Sequence, residues 1–158
     1  RRSSGEISTM NLYELYPHWE TRTNRILQSL QTRTPYELEF KFRPNMRSLG
    51  NLYRHILAAE IYWMEDIVGG RGKMFSELDE KEFYNSKTIT DKWHSVRNRS
   101  QEIVKPYSVT DLKKTFLTPR KKAVDLGYVL WHVAEHEIHH SGQISAMLRA
   151  QNLTSPIN

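Results

Sequence analysis

The strongest structural signal is DLGYVLWHVAEHEIHHSGQISAMLRAQN, residues 125–152. Apolar residues recur there at steps of three and four, which predicts one long amphipathic helix. Asp125 is its predicted N-cap, because a carboxylate can accept from a free backbone N–H of the first turn. His136 and His140 fill a gap in the apolar stripe that is formed by Leu126, Val129, Val133, Ile144 and Met147. The helix therefore presents two imidazoles on the surface that should face the core.

Three earlier segments show the same helical period. Ser48 and Thr90 are the predicted N-caps of the second and third helices, and Gly69-Gly70 and Pro106 are predicted to end them. Pro17 either kinks the first helix or lies in its first turn. The three segments are LYELYPHWETRTNRILQSL (12–30), RSLGNLYRHILAAEIYWMEDIVGG (47–70) and TITDKWHSVRNRSQEIVKPY (88–107).

Long polar connectors separate these helices, at about 32–47, 70–88 and 108–123, and no alternating strand pattern appears. Four amphipathic helices with long connections predict an all-α fold, a four-helix bundle. A chain of 158 residues is long enough for one core. We expect a single domain over residues 10–152, a disordered tail over residues 1–9 and a second tail over residues 153–158.

Composition excludes several kinds of site. The chain has no cysteine, so disulfides, thiolate metal ligands and a cysteine nucleophile are excluded. Short apolar runs and the lack of a charged-then-apolar leader predict a cytoplasmic protein with no membrane association. The net charge of +5 favours solubility over nucleic-acid binding, and it could also attract an anionic small substrate.

The histidine spacing predicts a metal site. His136 and His140 are four residues apart, so their rings lie one above the other on a helix and one ion can contact both. The alternative is that each is a core histidine bonded to a carbonyl or a carboxylate. A shared cation is favoured because it satisfies one nitrogen of each ring at once. His55, beside the apolar stripe of the second helix, is the predicted third ligand.

The remaining histidines and Glu60 are predicted to support the metal site or to lie at the surface. His132 and His139 lie at the edge of the apolar arc, where a ring can hold a carboxylate or water near the ligands. Glu60 is predicted to help orient the same site. His18 and His94 are isolated, and we predict that both lie at the surface.

Two protease-like motifs overlap in the last helix. Residues 136–140 fit H-E-x-x-H, and residues 132–136 fit the inverted H-x-x-E-H. The downstream Gly and His of the longer zinc motif are missing, and no acidic residue follows Glu137. Glu137 also points about 100° away from His136 around the helix. The sequence therefore disfavours a peptidase.

Two segments together resemble the DinB-like family of metal-binding four-helix bundles. They are SLGNLYRHILAAEIYW (48–63) and LGYVLWHVAEHEIHHSGQISAMLR (126–149), which carry a histidine in the second helix and H-x-x-x-H-x-G-Q in the fourth. The resemblance extends over about residues 10–150. It implies that His55, His136 and His140 bind a divalent ion, commonly zinc or nickel, in a protein that is often dimeric. Ser141 stands where relatives often carry arginine.

The resemblance also implies a class of reaction. Some relatives resemble thiol S-transferases or isomerases that use a low-molecular-weight thiol, such as bacillithiol or mycothiol, as co-substrate. Three neutral imidazoles would leave the ion its charge and an open position, where a thiol or water loses its proton readily. A metal-dependent hydrolase and a non-enzymatic bundle stabilised by metal remain alternatives. No side chain besides the ligands is predicted to act as an acid or base.

Two further expectations concern surfaces. The chain has four Trp and eight Tyr, and the exposed faces of Tyr62, Tyr128 and Trp131 predict a homodimer. The connectors at 32–47 and 70–88 are predicted to frame an entrance to the site. There Lys41, Arg43 and Arg71 would attract a carboxylated thiol. The sequence thus predicts a small acidic substrate and no nucleic-acid partner.

Overall fold

The computed structural model describes residues 9–157, so the predicted tail at residues 1–9 lies outside the description except for its last residue. The described chain consists of helices and one short antiparallel hairpin. The helices are α1 (Leu12–Leu15), α2 (Trp19–Leu30), α3 (Pro35–Leu38), α4 (Leu49–Glu60), α5 (Ser86–Val104) and α6 (Leu126–Ala150). A π-helical segment (Ile61–Val68) continues α4, and a 3₁₀ turn (Val109–Asp111) precedes strands β1 (Thr115–Leu117) and β2 (Ala123–Asp125).

The hairpin lies in and just after the connector at about 108–123, where the sequence shows no strand pattern. β1 pairs antiparallel with β2, with Phe116 opposite Val124. Each strand has three residues, which is too short for an alternating pattern to be visible in the sequence. The four long helices α2, α4, α5 and α6 form the predicted four-helix bundle.

The helix boundaries follow local side-chain chemistry. Ser48 and Asp125 cap α4 and α6 as predicted, each accepting from the backbone N–H three residues on. The prediction of Thr90 as the cap of the third helix is wrong, because α5 begins earlier, at a capping box made by Asn85. Pro17 lies in the turn between α1 and α2 and does not kink a helix.

Two apolar clusters divide the core along the bundle. The first apolar cluster joins the ends of α2 and α6 to the starts of α4 and α5; it includes Leu30, Leu52, Trp93, Ile144 and Leu148. The second apolar cluster joins the opposite ends of the same helices and includes Trp19, Met64, Val104, Leu126 and Val129. Helices α4 and α5 therefore run parallel to each other. The connector at residues 69–85 must return along the length of the bundle to join them.

A buried polar layer, formed by Thr23, Glu60, Arg97 and Glu137, separates the two clusters, with one residue from each long helix. The Arg97 guanidinium donates to both oxygens of Glu60 at 2.9 Å each and to Glu137 at 2.6 Å. It also donates to the Thr23 hydroxyl at 3.2 Å. Burial alone lowers the pKa of Arg97, but the two carboxylates raise it well above its ordinary value. The layer thus joins all four helices through one permanently charged side chain.

No helix within residues 9–157 is both long enough and apolar enough to cross a bilayer.

Candidate metal centre

The three predicted ligands come together between α4 and α6. His55 lies on α4, and His136 and His140 lie one turn apart on α6. Nε2 of His136 is 3.2 Å from Nε2 of His55 and 3.1 Å from Nε2 of His140. One nitrogen from each ring lies within 4.8 Å of the other two. The spacing on α6 and the packing of α4 against it therefore produce a converging set of nitrogen atoms that could hold a metal ion.

Two polar side chains orient the outer nitrogens of this set. Nδ1 of His55 donates to the Glu77 carboxylate at 2.7 Å, and Nδ1 of His140 donates to the Gln143 side-chain oxygen at 2.6 Å. Arg47 donates to the same oxygen of Glu77 at 2.8 Å. Burial raises the pKa of Glu77, but the hydrogen bonds from His55 and Arg47 outweigh this effect and lower it. Glu77 is therefore a charged acceptor that fixes the ring of His55.

These contacts leave fewer protons than the two close Nε2–Nε2 contacts need in order to be hydrogen bonds. A carboxylate only accepts, so Nδ1 of His55 carries its proton and Nε2 of the neutral ring is a bare lone pair. The bond to Gln143 imposes the same state on His140. Nε2 of His136 faces both lone pairs and has at most one proton to donate. At least one close nitrogen pair is therefore repulsive in the neutral site, and a cation would relieve it.

The spacing of the nitrogens also fits an ion. Two imidazole nitrogens at the usual zinc distance of about 2.0–2.1 Å are about 2.9–3.4 Å apart for angles between square and tetrahedral. The separations of 3.1 and 3.2 Å fall within that range. The second nitrogens of His55 and His140 are held by acceptors, as is usual for metal-binding histidines. The residues present therefore fit a three-histidine metal site.

The protonation states favour binding at neutral pH. Burial, with the charges of the neighbouring His140 and His55, lowers the pKa of His136 to about 3. Burial likewise lowers the pKa of His140, against the opposing bond to Gln143. Both rings are neutral at pH 7, so protons do not compete with a metal ion for these two nitrogens.

The predicted supporting histidines lie next to the ligands. His132 stacks on Tyr128, with ring centroids 5.7 Å apart, and its ring is 5.9 Å from that of His136. His139 is exposed, and its ring centroid is 4.9 Å from that of His140. Burial lowers the pKa of His132, which favours a neutral ring beside the site. No ring nitrogen of His132 or His139 belongs to the converging cluster of His55, His136 and His140.

Glu60 has a different partner from the one expected. Both of its carboxylate oxygens accept from Arg97, so the structure places it in the buried polar layer instead of against a ligand ring. The carboxylate that contacts the histidine cluster is that of Glu77, through Nδ1 of His55. His18 and His94 are exposed, in agreement with the surface positions predicted for them.

The sequence did not lead to Glu77 as part of the site, and it placed Gln143 only within a motif, without a contact to a histidine. Glu77 lies in the irregular connector at residues 69–85, where helical periodicity says nothing about contacts. The same connector brings Phe75 to the His55 ring, with centroids 6.0 Å apart. Gln143 was visible in the sequence, since a residue three positions after His140 lies on the same helix face.

Comparison with known proteins identifies the family. The sequence model of the DinB superfamily matches residues 18–144, which include all four long helices in whole or large part and all three clustered histidines. The chain belongs to the DinB superfamily. This confirms the family resemblance seen in the sequence. Among curated proteins, none matches the chain.

Three solved structures share the DinB superfamily fold of this chain. A DinB-like protein from Bacillus cereus ATCC 10987 is 22% identical, with a TM-score of 0.73 over 96% of this chain and 98% of that one. The DinB-like protein YjoA from Bacillus subtilis is 17% identical, with a TM-score of 0.66 over 87% and 91%. YfiT from Bacillus subtilis, described as a probable metal-dependent hydrolase with an unusual four-helix bundle topology, is 14% identical, with a TM-score of 0.67 over 98% and 95%. These likenesses show the fold.

Proposed function

We propose that this DinB-superfamily chain binds a divalent metal ion through Nε2 of His55, His136 and His140. We propose further that it is a metal-dependent thiol S-transferase or isomerase with a low-molecular-weight thiol as co-substrate. The observation that supports the metal site is the shortage of protons among the three converging nitrogens. The thiol reaction is proposed from the family resemblance and from the open position that three imidazole ligands would leave on the ion. An all-nitrogen site suits zinc and nickel, and also copper and iron. His132 and His139 support the ligands from beside the site.

The chain's own residues would prepare this site for anionic reactants. When bound, the ion would supply positive charge that lowers the pKa of a thiol or water molecule next to it. Glu77 keeps the proton on Nδ1 of His55, and Gln143 does the same for His140, so both Nε2 lone pairs face inward. Among residues 9–157 no carboxylate belongs to the cluster of ligand atoms, so the full charge of the ion would remain available.

A metal-dependent hydrolase is the second candidate, since the described YfiT activity belongs to a protein of the same fold. The same site would then act on water instead of a thiol. A cytoplasmic location is part of the thiol proposal, because low-molecular-weight thiols are kept reduced there. A bundle stabilised by metal without turnover is the remaining alternative.

Metal analysis followed by an activity assay tests the proposal. Protein purified without a nickel column should contain, or take up on addition of Zn²⁺ or Ni²⁺, about one ion per chain. The loaded protein is then mixed with bacillithiol, mycothiol or glutathione and a chromogenic electrophile. Consumption faster than in the stripped protein supports thiol transfer. Metal uptake without thiol consumption, together with cleavage of ester or amide substrates, would favour the hydrolase, and failure to take up either metal would refute the site.

Replacing Glu77 by alanine should weaken metal binding by about 10–100-fold, because the His55 ring would lose the acceptor that fixes its proton and orientation. The affinity is measured by competition with a chromogenic chelator. Glu82→Ala is the matched control, since Glu82 is an exposed glutamate on the same connector. Equal affinities for the two variants would show that Glu77 does not position His55.

A homodimer is expected from the exposed aromatic side chains near the start of α6. Tyr128 is 41% exposed and Trp131 is 48% exposed, while Tyr62 is half-buried. Contiguous apolar surface of this kind is typical of a protein contact. Light scattering should give twice the chain mass of 18.7 kDa. Trp131→Ser should shift the mass toward the monomer, and a monomer mass for the unchanged protein at micromolar concentration would contradict the dimer.

A further inference from the structure

A cavity of about 800 Å³ lies beside the candidate metal centre and apart from its ligands. Its walls come from α3, from the first turns of α4 and from both connectors that were predicted to frame an entrance, and they include Leu38, Lys41, Asn51, Arg54, Lys81 and Tyr84. Cavities of about 300–1,000 Å³ hold small organic molecules. None of the three clustered histidines lines this space. It is therefore a candidate binding site in its own right.

The walls of the cavity carry more basic than acidic side chains. Lys41, Arg47, Arg54 and Lys81 line it, against Glu39 and Glu80. The first turn of α4 contributes further positive potential through the helix dipole, because it contains no acidic residue to offset the dipole. Of the basic residues expected at the entrance, Lys41 lines the cavity, whereas Arg71 is paired with Glu65 and Asp66.

Arg54 is the feature that points to a ligand. Its side chain lines the cavity and the residue is only 5% exposed. Nη1 donates to the Phe83 carbonyl at 3.1 Å, and Nη2 lies 3.7 Å from Glu80, whose side chain is 75% exposed. Nε has no hydrogen-bond partner among the described residues. A buried guanidinium normally has a close carboxylate or phosphate partner, so this one is poorly compensated.

Gly50 permits this placement of the guanidinium. A Cβ at Gly50 would lie 3.2 Å from Nη1 of Arg54 and 3.2 Å from the Leu38 carbonyl. The absent side chain lets the Arg54 guanidinium lie directly against the first turn of α4. Two sources of positive charge therefore meet at one wall of the cavity.

We propose that this cavity binds the oxyanion group, carboxylate or phosphate, of a small acidic molecule, with Arg54 as its principal partner and Lys41 and Lys81 at the rim. Arg47 links the cavity to the metal centre, since it lines the cavity and donates to Glu77, the acceptor of His55. An acidic molecule held there would be connected to His55 through the side chains of Arg47 and Glu77. That this molecule is the substrate rests on the proposed function; that the cavity binds an oxyanion does not.

Titration of the metal-free protein tests the cavity independently of the metal centre. The probes are succinate, inorganic phosphate and the neutral succinamide, followed by amide resonances of residues 47–54 and 80–84. Succinate or phosphate should shift these resonances while succinamide does not, and the stronger of the two anions identifies the oxyanion class. His136→Ala should bind the anions unchanged, so that failure of the metal site does not affect this result.

Variants locate the binding to the proposed residues. Arg54→Met should weaken anion binding by at least about tenfold, as expected for loss of a hydrogen bond to a charged group. Because Arg54 is buried, the double variant Lys41→Gln with Lys81→Gln provides a second test on exposed residues, and it should weaken binding severalfold. Lys122→Gln, in the β1–β2 turn, should have no effect. Absence of shifts with both anions, or unchanged binding in the double variant, would overturn the proposal.

Discussion

Replacing Arg97 by methionine should lower the free energy of unfolding by about 3–5 kcal/mol, the cost of breaking a buried ion pair from one side. The variant would leave the carboxylates of Glu60 and Glu137 inside the bundle without their counter-charge. The Thr23 hydroxyl would also lose a donor. Urea denaturation followed by circular dichroism measures the change.

Arg99→Met is the matched control for this experiment. Arg99 lies on the same helix but is exposed, so its replacement should change the free energy of unfolding by no more than about 0.5 kcal/mol. Adding Glu60→Gln and Glu137→Gln to Arg97→Met should restore part of the lost stability, because the buried charges are then removed together. Similar losses for Arg97→Met and Arg99→Met would mean that the polar layer does not hold the helices together.

The polar layer marks the limit of what helical periodicity can predict. The sequence places Glu137 about 100° from His136 around the helix, and in the fold that direction leads to Arg97 in the core. The burial of Glu137 cannot be predicted from the sequence, because charged residues are almost always at the surface unless they are paired. Pairing between Glu60, Arg97 and Glu137 depends on which helices are neighbours, and the sequence pattern does not specify neighbours.

The three histidines were predictable for the opposite reason. A spacing of four residues places His136 and His140 on one face whatever the surroundings, and the apolar stripe shows that this face is turned inward. His55 could be assigned as the third ligand because it lies beside the apolar stripe of the second helix, whereas His18 and His94 were predicted to lie at the surface. Glu77 could not be assigned from the sequence. Its hydrogen bond with His55 depends on the path of the connector at residues 69–85, which runs back along the bundle because α4 and α5 are parallel.

Replacing His136 by alanine should abolish metal binding, with an affinity loss of more than about 100-fold, beyond what is typical for a supporting residue. His136 is the middle ligand, since its Nε2 is close to the Nε2 atoms of both His55 and His140. Without it, two ligands on different helices would remain. Competition with a chromogenic chelator, using Zn²⁺ and then Ni²⁺, measures the affinity.

Thermal unfolding gives a second measurement of the same loss. A metal ion that binds only the folded chain stabilises it by about 2.7 kcal/mol when its concentration is 100 times the dissociation constant. Zinc should therefore raise the Tm of the unchanged protein and of His94→Ala, a control in which an exposed histidine is removed from α5. It should leave the Tm of His136→Ala unchanged. His132→Ala should keep most of the shift, because its ring contacts His136 without joining the ligand cluster. If His132→Ala lost metal as completely as His136→Ala, the assignment of ligands on α6 would have to be revised.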